Sequence, residues 1–414
     1  MVTRSPDVAL ISYIVSDNML DELTRIDPTP AIQTQRFGLV LLRLLESSTN
    51  RLSSYNFVPI QDFPIGRRIW FGAATHRRGG RDILSLPFVN IVGLKHVTRL
   101  IALLLRFRTL CRFDTIVVHG LHLPNLVAAV FLKAIGVRIG VVLTDRQGVV
   151  LPTDGRIRRW LKVIDRGISV SLARRFDFGI ALSDTLAQTY VPGRPVILLP
   201  GIFDDMLERR VAVCPRDRHE DAFRVVYFGG LSTEYGIAAL LDTLPLLDSR
   251  VQVRIFGRGP LEEAIAAASA HHPNVFWGGL VNQDRLVREM ADCDLLINPR
   301  PARGLLAQMS SPSKLIEYAA SGRPVMTTRL PSLTSDLMEW LLPIDDETAP
   351  GIAQAINAAS NLSRAVLNEY GINFRAAVKR GYSIASLQAS LAPLLGCVGK
   401  TADRTIDKLG ADTK

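Results

Sequence analysis

Short apolar runs alternate with helical apolar spacings along the first 200 residues. The apolar runs, which are typical of buried strands, lie at residues 8–15, 68–71, 83–87, 115–118, 138–144, 178–182 and 195–199. Apolar residues three and four positions apart predict amphipathic helices at residues 33–45, 94–112, 123–135 and 156–175. Strands that alternate with helices are typical of βαβ units, so this half of the chain predicts a parallel sheet.

The alternation stops near residue 200 and begins again near residue 224. The segment between contains Pro215 and a run of mixed charges at residues 216–221, which indicates a linker. The second half then predicts a second doubly wound domain. We expect an N-terminal domain at 1–200, a linker at 201–222, a C-terminal domain at 223–380, a helix at 381–396 positioned to pack back on the N-terminal domain, and a loose tail at 397–414.

The composition is that of a globular protein, and its charge narrows the set of partners. The chain has 414 residues, of which 48% are hydrophobic and 21% charged, so disordered and fibrous classes are excluded. Its net charge of +10 favours phosphate-bearing ligands, an anionic membrane face or nucleic acid. The sequence contains no zinc spacing, ribonucleoprotein motif or basic arm, so we expect no nucleic-acid partner.

Cysteine spacing and hydropathy predict the cellular compartment of the protein. The four cysteines lie far apart without metal-binding spacing, so we expect a reduced cytoplasmic protein with no metal site. No apolar stretch approaches the ~20 residues needed to span a bilayer. The predicted helix at 94–112 has Lys95, Arg99 and Arg106 on one stripe, and one interpretation is peripheral contact with the anionic inner face of the cell membrane. The alternative is a solvated face over a core helix.

The segment 310–325, with the sequence SSPSKLIEYAASGRPV, is the most informative motif. Ser311 is a favourable helix N-cap residue and Pro312 suits the first helical position, so free backbone N–H groups would form a phosphate site. Lys314 would add a positive charge in the first turn. Glu317, three residues on, could accept hydrogen bonds from two adjacent sugar hydroxyls. The alternative is a capped helix with an internal Lys314–Glu317 pair.

Three further motifs follow the order of a known family. They are YFGGL at residues 227–231, IFGRGPL at 255–261 and CDLLINPR at 293–300. Together with the segment 310–325, they resemble the retaining glycosyltransferases of family four, which have the GT-B fold. Residues 330–331 and 343–347 fit a bacterial branch associated with cell-surface polysaccharide assembly. The resemblance, which covers residues 200–360, implies an α/β fold with two Rossmann-like doubly wound domains that face a central cleft.

The resemblance also implies a reaction and a donor site. The reaction is transfer of a sugar, typically a hexose, from a UDP- or GDP-sugar to a glycan or lipid-linked acceptor, with retention and without a metal or another cofactor. In the family, the glutamate that matches Glu317 binds the ribose, the helix start binds the diphosphate, and the glycine turn approaches the phosphates. The donor-binding residues that we expect are Gly229, Gly230, Arg258, Arg300, Ser311, Ser313, Lys314, Leu315 and Glu317.

The sequence departs from the family pattern within this site. Met309 stands where the family often has a first glutamate, and Gly230 and Tyr235 stand where it commonly has an arginine and a lysine. The phosphate charge must then be met by other cations. The candidates are Lys314, Arg300 and Arg303. The family's N-terminal glycine-rich loop is also absent after Val15, which leaves acceptor binding open.

Two residues at predicted strand ends are candidates for catalysis. His119 follows the strand at 115–118 and Asp145 follows that at 138–144, and the carboxyl ends of parallel strands border a ligand crevice. His119 could contact the sugar or the acceptor, and Asp145 could bind a hydroxyl or act as a base. Both could instead be structural, Asp145 as a helix cap. Two other functions stay open: a non-catalytic GT-B scaffold and a GT-B sugar-nucleotide epimerase.

Overall fold

A computed structural model gives the fold of most of the chain. It describes residues 5–28, 30–78, 81–144, 155–215, 222–303, 307 and 313–396. Some of the sequence predictions fall on other residues and lie outside the described part of the chain. They are those for Asp145, Met309, Ser311, Pro312 and the tail at 397–414.

The N-terminal half forms one large sheet. Among the described residues this sheet has eight strands in the order β10-β9-β8-β7-β1-β2-β5-β4. The strands are β1 Asp7–Ser12, β2 Arg51–Asn56, β4 Ala74–Arg78, β5 Arg81–Ser85, β7 Thr115–His119, β8 Arg138–Leu143, β9 Phe178–Ala181 and β10 Val196–Leu198. Only β4, at one edge, runs antiparallel to its neighbour within this described sheet. A separate two-stranded ribbon pairs β3 Trp70–Phe71 with β6 Phe88–Val89.

The C-terminal half forms a second, parallel sheet. In the part of the chain that is described it has six strands in the order β13-β12-β11-β14-β15-β16. The strands are β11 Phe223–Gly230, β12 Val251–Arg258, β13 Val275–Trp277, β14 Leu295–Asn298, β15 Val325–Thr328 and β16 Leu342–Ile344. Central strands such as β11 and β14 are apolar and buried because helices cover both faces of the sheet.

Helices cover both sheets on both faces. Those of the first half are α1 Asp17–Ile26, α2 Ile32–Ser47, α3 Leu94–Leu104, α4 Phe107–Leu110, α5 Leu123–Ala134, α6 Arg156–Ala173 and α7 Asp184–Tyr190. Those of the second half are α8 Asp205–Ala212, α9 Ile237–Thr243, α10 Glu262–His271, α11 Gln283–Asp292, α12 Ser313–Ala319, α13 Ser335–Met338, α14 Ala349–Ser360, α15 Arg364–Tyr382 and α16 Ile384–Leu395. Each sheet therefore separates two hydrophobic clusters, which is the doubly wound arrangement.

The strand order reverses at one place in each sheet, and these places locate the ligand crevice. In the first sheet β1 lies between β2 and β7, so the crevice opens at the ends of β1 and β7, near Ser12 and His119. In the second sheet β11 lies between β12 and β14, so it opens near Gly230 and Asn298. Ligands of open α/β sheets bind at such switch points.

Two segments connect the halves. The segment 201–222, expected to be a linker, contains α8, whose Leu207 and Val211 pack in the C-terminal core. The last helix, α16, packs on the N-terminal sheet in the same cluster as α2. Its end is bonded there: the Thr115 hydroxyl donates to the carbonyl of Leu395 at 2.8 Å. The chain thus returns to the first domain after completing the second.

The helix predicted at 94–112 differs from the structure in both extent and orientation. It is divided into α3 and α4. The prediction that Lys95 and Arg99 face a membrane is wrong, because both side chains are buried. Lys95 donates to Asp62 Oδ1 at 2.9 Å, and Arg99 donates to the carbonyl of Val58 at 2.9 Å and lies 4.3 Å from the ring centroid of Phe88. These partners replace the water that the two cations lose.

The packing of α16 generates a stability prediction. Leu391 of this helix is 1% exposed. We expect Leu391→Ala to lower the free energy of unfolding of the N-terminal domain by about 2–5 kcal/mol, because it leaves a cavity in that core. Urea denaturation measures this change.

The matched control is Leu362→Ala, at a leucine that is 39% exposed beyond α14. Its cost should stay within about 0.5 kcal/mol, as at other surface positions. Equal costs for the two variants would contradict the packing of α16 on the N-terminal sheet.

Candidate functional site

A cleft of about 1160 Å³ lies between the two sheets. Helix α2 lines it from the N-terminal side, together with His119 at the end of β7. From the C-terminal side it is lined by the ends of β11 and β14 and by the first turns of α12. Its polar and aromatic lining includes Arg36, His119, Gly230, Tyr235, Arg258, Asn298, Arg300, Ser313, Lys314 and Glu317. The cleft thus joins the two switch points of the fold.

Lys314 reaches the turn that ends β11. Its Nζ donates to Tyr227 Oη at 2.9 Å and lies 4.8 Å from the Tyr227 ring centroid and 4.6 Å from that of Tyr235. A β-carbon on Gly229 would stand 1.7 Å from this nitrogen. Glycine is therefore required at 229 because the lysine ammonium group occupies the space of a side chain.

The environment of Lys314 favours an anion beside it. Desolvation of its ammonium group lowers the pKa of Lys314 to about 7, with Glu317 raising it and Arg300 lowering it further. The side chain as a whole is half-buried and keeps some contact with the cleft. A bound phosphate would restore the favourable surroundings that the ammonium group has lost.

Tyr235 and Arg300 lie beside Lys314. Gly230 leaves room for Tyr235, because a β-carbon there would stand 2.7 Å from Tyr235 Cε2. Arg300 is buried and lies 6.0 Å from the Tyr235 ring centroid, and desolvation lowers its pKa. Two cations therefore share one aromatic ring at the ends of β11 and β14. Arg303, the third cation considered from sequence, is exposed and does not line the cleft.

Glu317 is bonded across the cleft rather than along its own helix. Its Oε1 accepts a hydrogen bond from Arg36 Nη1 of α2 at 2.8 Å. The side chains of Arg36 and Glu317 keep 30% and 23% exposure, so the pair faces the cleft. The internal Lys314–Glu317 pair, the alternative reading of the motif, is not the bonding observed. Sequence reasoning missed Arg36, since nothing in the spacing of α2 marks it.

The other predicted donor residues lie at different depths. Ser313 lines the cleft, whereas the Leu315 side chain is fully buried in the C-terminal core. Arg258 ends β12 at the rim, and its side chain is exposed. Asn298, which sequence reasoning also missed, is buried at the end of β14 and donates to Thr327 Oγ1 at 3.0 Å. Its place at the switch point is the signal that could have indicated it.

His119 lies at the switch point of the N-terminal sheet. It is buried, lies within hydrogen-bond distance of Ser12 Oγ through Nδ1 at 2.8 Å, and its ring centroid is 5.5 Å from that of Phe37. Burial lowers the pKa of His119 to about 4, so the ring is neutral near pH 7. His122 is the N-cap residue of α5, as its position after the strand suggests. A neutral imidazole can donate through one nitrogen and accept through the other.

Comparison with known proteins finds a family model that matches part of the C-terminal half. Residues 222–361 match the family model described as Glycosyl transferases group 1. No curated protein matches the chain. The matched segment contains β11 to β14 and α12, and hence Lys314 and Glu317.

Solved structures match nearly the whole chain. A trehalose-6-phosphate structure from E. coli bound with UDP-2-fluoro glucose has a TM-score of 0.64 and 10% identity, covering 95% of this chain and 99% of that one. Sucrose-phosphate synthase from Thermosynechococcus elongatus has a TM-score of 0.61 and 15% identity, with coverages of 94% and 98%. Anabaena Alr3699/HepE in complex with UDP has a TM-score of 0.57 and 15% identity, with coverages of 95% and 100%.

These likenesses extend over both domains, and at such low identity they establish the fold. The two doubly wound sheets, with the cleft between their switch points, agree with that result. The chain has the GT-B fold of two Rossmann-like domains, and its residues 222–361 match the Glycosyl transferases group 1 family.

Proposed function

We propose that this protein is a glycosyltransferase that moves a sugar from a nucleoside diphosphate sugar to an acceptor. The observation that carries the proposal is the Lys314 ammonium group, held against Gly229 at the mouth of the cleft with Arg300 beside it. Two cations at a switch point favour a diphosphate. The group 1 glycosyl transferase domain over residues 222–361 supports the same reaction.

The donor would occupy the C-terminal side of the cleft. Lys314 and Arg300 would meet the charge of the diphosphate, both in the ground state and as it leaves. Glu317 would accept hydrogen bonds from the ribose hydroxyls, with Arg36 beside it or displaced. UDP is the first nucleotide to test, because the similar structures from E. coli and Anabaena contain UDP-2-fluoro glucose and UDP.

The acceptor would approach from the N-terminal side. His119 is neutral and lies at the end of β7, so it could hold a hydroxyl of the transferred sugar or of the acceptor without carrying charge. A role for Asp145 remains a prediction. We infer a glycan or lipid-linked acceptor of the bacterial cell surface, a hexosyl donor, retention of configuration, and no need for a metal because the cations of the site neutralise the leaving group.

A second candidate is a GT-B protein without catalytic activity. The observation that favours it is Gly230 and Tyr235 in the places where the resembling family has an arginine and a lysine. The two candidates differ in their products. Release of UDP from UDP-sugars, with a sugar attached to an acceptor extract, would exclude the scaffold, and an isomerised donor would indicate an epimerase instead.

A thermal-shift screen tests the donor site directly. UDP, GDP and their sugars should raise the unfolding midpoint, because a ligand that binds only the folded state stabilises it. If none of these ligands raised the midpoint, the donor-site proposal would fail.

Glu317→Ala should weaken UDP binding by about 1.5–3 kcal/mol, or roughly ten- to a hundredfold, because a charged hydrogen bond to the ribose is lost. Titration calorimetry measures the change. The matched control is Glu369→Ala, at an exposed glutamate of α15, which should leave the affinity unchanged. Wild-type affinity in the Glu317 variant would refute the ribose role.

UDP-glucose binding should weaken as pH rises above about 7, the value to which desolvation lowers the Lys314 pKa. The diphosphate stabilises the ammonium form, so the pKa rises in the complex and binding takes up a proton. Above pH 7 the affinity should fall by up to about tenfold per pH unit until the pKa of the complex is reached. UDP-glucose is the suitable ligand because, unlike UDP, it has no terminal phosphate that titrates nearby.

Lys314→Met is the control for this pH dependence. It should bind UDP-glucose more weakly than the wild type at pH 6 and show no change between about pH 6 and about pH 9. A flat profile in the wild type would contradict the proposed contact between Lys314 and the diphosphate.

A further inference from the structure

Helix α3 presents apolar side chains to solvent. Leu94, Val97, Ile101 and Leu104 lie three or four positions apart on one stripe and are 44%, 53%, 50% and 42% exposed. Leu105 follows at the end of the helix and is 79% exposed. An amphipathic helix of a globular protein normally buries such a stripe against the core. Here the core side of α3 contains Lys95 and Arg99, and the apolar stripe is left uncovered.

Helix α6 continues this surface. Its exposed residues include Trp160, Val163 and Ile164. α5 packs against both α3 and α6, and residues of all three helices share one hydrophobic cluster, so the three helices cover the same face of the N-terminal sheet. We call the exposed apolar surface of these two helices the α3–α6 face. Its defining residues are Val92, Val97, Ile101, Leu105, Trp160 and Val163.

The sequence around the α3–α6 face is strongly basic. Residues 88–113 contain no aspartate or glutamate, and α6 has Asp165 as its single acid against five basic residues. Exposed arginines follow α3 along the chain and occupy the first turn of α6. They are Arg106, Arg108, Arg112, Arg156 and Arg159. Exposed apolar residues with a tryptophan and a cationic border are the composition of helices that lie in the boundary of an anionic bilayer.

The same charges argue against a second copy of the chain as the occupant. In a symmetric dimer each face meets its own duplicate, so the arginines beside Leu105 and Trp160 would meet other arginines. Like charges brought together at an interface oppose association. An anionic lipid surface satisfies both the apolar stripe and its border.

The α3–α6 face begins near the edge of the N-terminal sheet that borders the cleft. In the described part of the chain α6 is the next element after β8, and β6 and the start of α3 follow the carboxyl end of β5. The first turns of α3 and α6 therefore lie at the edge of the N-terminal sheet where the cleft opens. A protein docked through this face would hold the N-terminal side of the cleft close to the lipid.

We propose that the α3–α6 face docks on an anionic lipid bilayer. The apolar side chains enter the boundary between headgroups and acyl chains, and the bordering arginines lie against lipid phosphates. This contact is peripheral. Within the described residues no helix is long and apolar enough to cross a membrane. The docking surface is separate from the proposed donor site, so lipid binding and nucleotide binding can be tested independently.

Sedimentation of the full chain with lipid vesicles tests the proposal. The protein should bind phosphatidylcholine vesicles that contain phosphatidylglycerol, and bind pure phosphatidylcholine vesicles more weakly. Added salt should weaken the first interaction because it screens the arginine–phosphate attraction. Equal binding to both vesicle types, or binding to neither, would overturn the proposal.

Ile101→Glu and Ile372→Glu form a matched pair of variants. Both isoleucines are 50% exposed on helices, but Ile372 is on α15 of the C-terminal domain. Ile101→Glu should weaken vesicle binding by about tenfold or more, because a carboxylate is costly in the lipid boundary and is repelled by anionic headgroups. Ile372→Glu should have no effect. Equal results for the two would contradict docking through α3.

A charge reversal and a mass measurement complete the test. Arg156→Glu combined with Arg159→Glu changes only exposed side chains and should weaken binding to anionic vesicles as strongly. The response of each variant to UDP in the thermal-shift assay separates loss of the donor site from loss of docking. If lipid-free protein is a dimer by light scattering that Ile101→Glu dissociates, the face is a contact between copies and the lipid proposal is wrong.

Discussion

The C-terminal side of the cleft depends on the close approach of the Lys314 ammonium group to the backbone at Gly229. That approach places a partly desolvated cation between two tyrosine rings, where an anion is the natural partner. The positions of Lys314 and Tyr235 also explain why glycines occupy positions 229 and 230. A side chain at 229 would occupy the position of the ammonium nitrogen, and one at 230 would displace Tyr235. The helix, the strand end and the turn are therefore mutually dependent.

The relation between the domains rests on a few long-range contacts. Arg36 and Glu317 join the two walls of the cleft, and Arg43 donates to Asp204, the residue that caps α8, at 2.8 Å. α16 returns to the N-terminal sheet and buries its leucines there. The Arg36–Glu317 pair is partly exposed and therefore contributes little stability, whereas the contact of α16 is apolar and buried. The two connections between the domains thus differ in strength.

The N-terminal domain buries the guanidinium group of Arg99 in its core. Arg99 lies among aromatic rings and donates to the carbonyl of Val58, so its guanidinium group has both a hydrogen bond and cation–π contacts. With the cations of α3 turned inward, Leu94, Val97 and Ile101 of the same helix are exposed. The exposed stripe of α3 and the buried Arg99 are two consequences of one helix orientation.

The sequence by itself determined the two doubly wound domains, because alternating strand and helix patterns leave few other ways to bury apolar residues. It also placed Lys314 and Glu317 on one short helix by their spacing. Only the tertiary structure decided their partners. Glu317 bonds to Arg36, 281 residues away, and Lys314 to Tyr227, 87 residues away, and local periodicity contains no information on such pairs. Periodicity likewise showed that α3 has two faces, but which face is covered depends on carbonyl groups and rings supplied by distant segments.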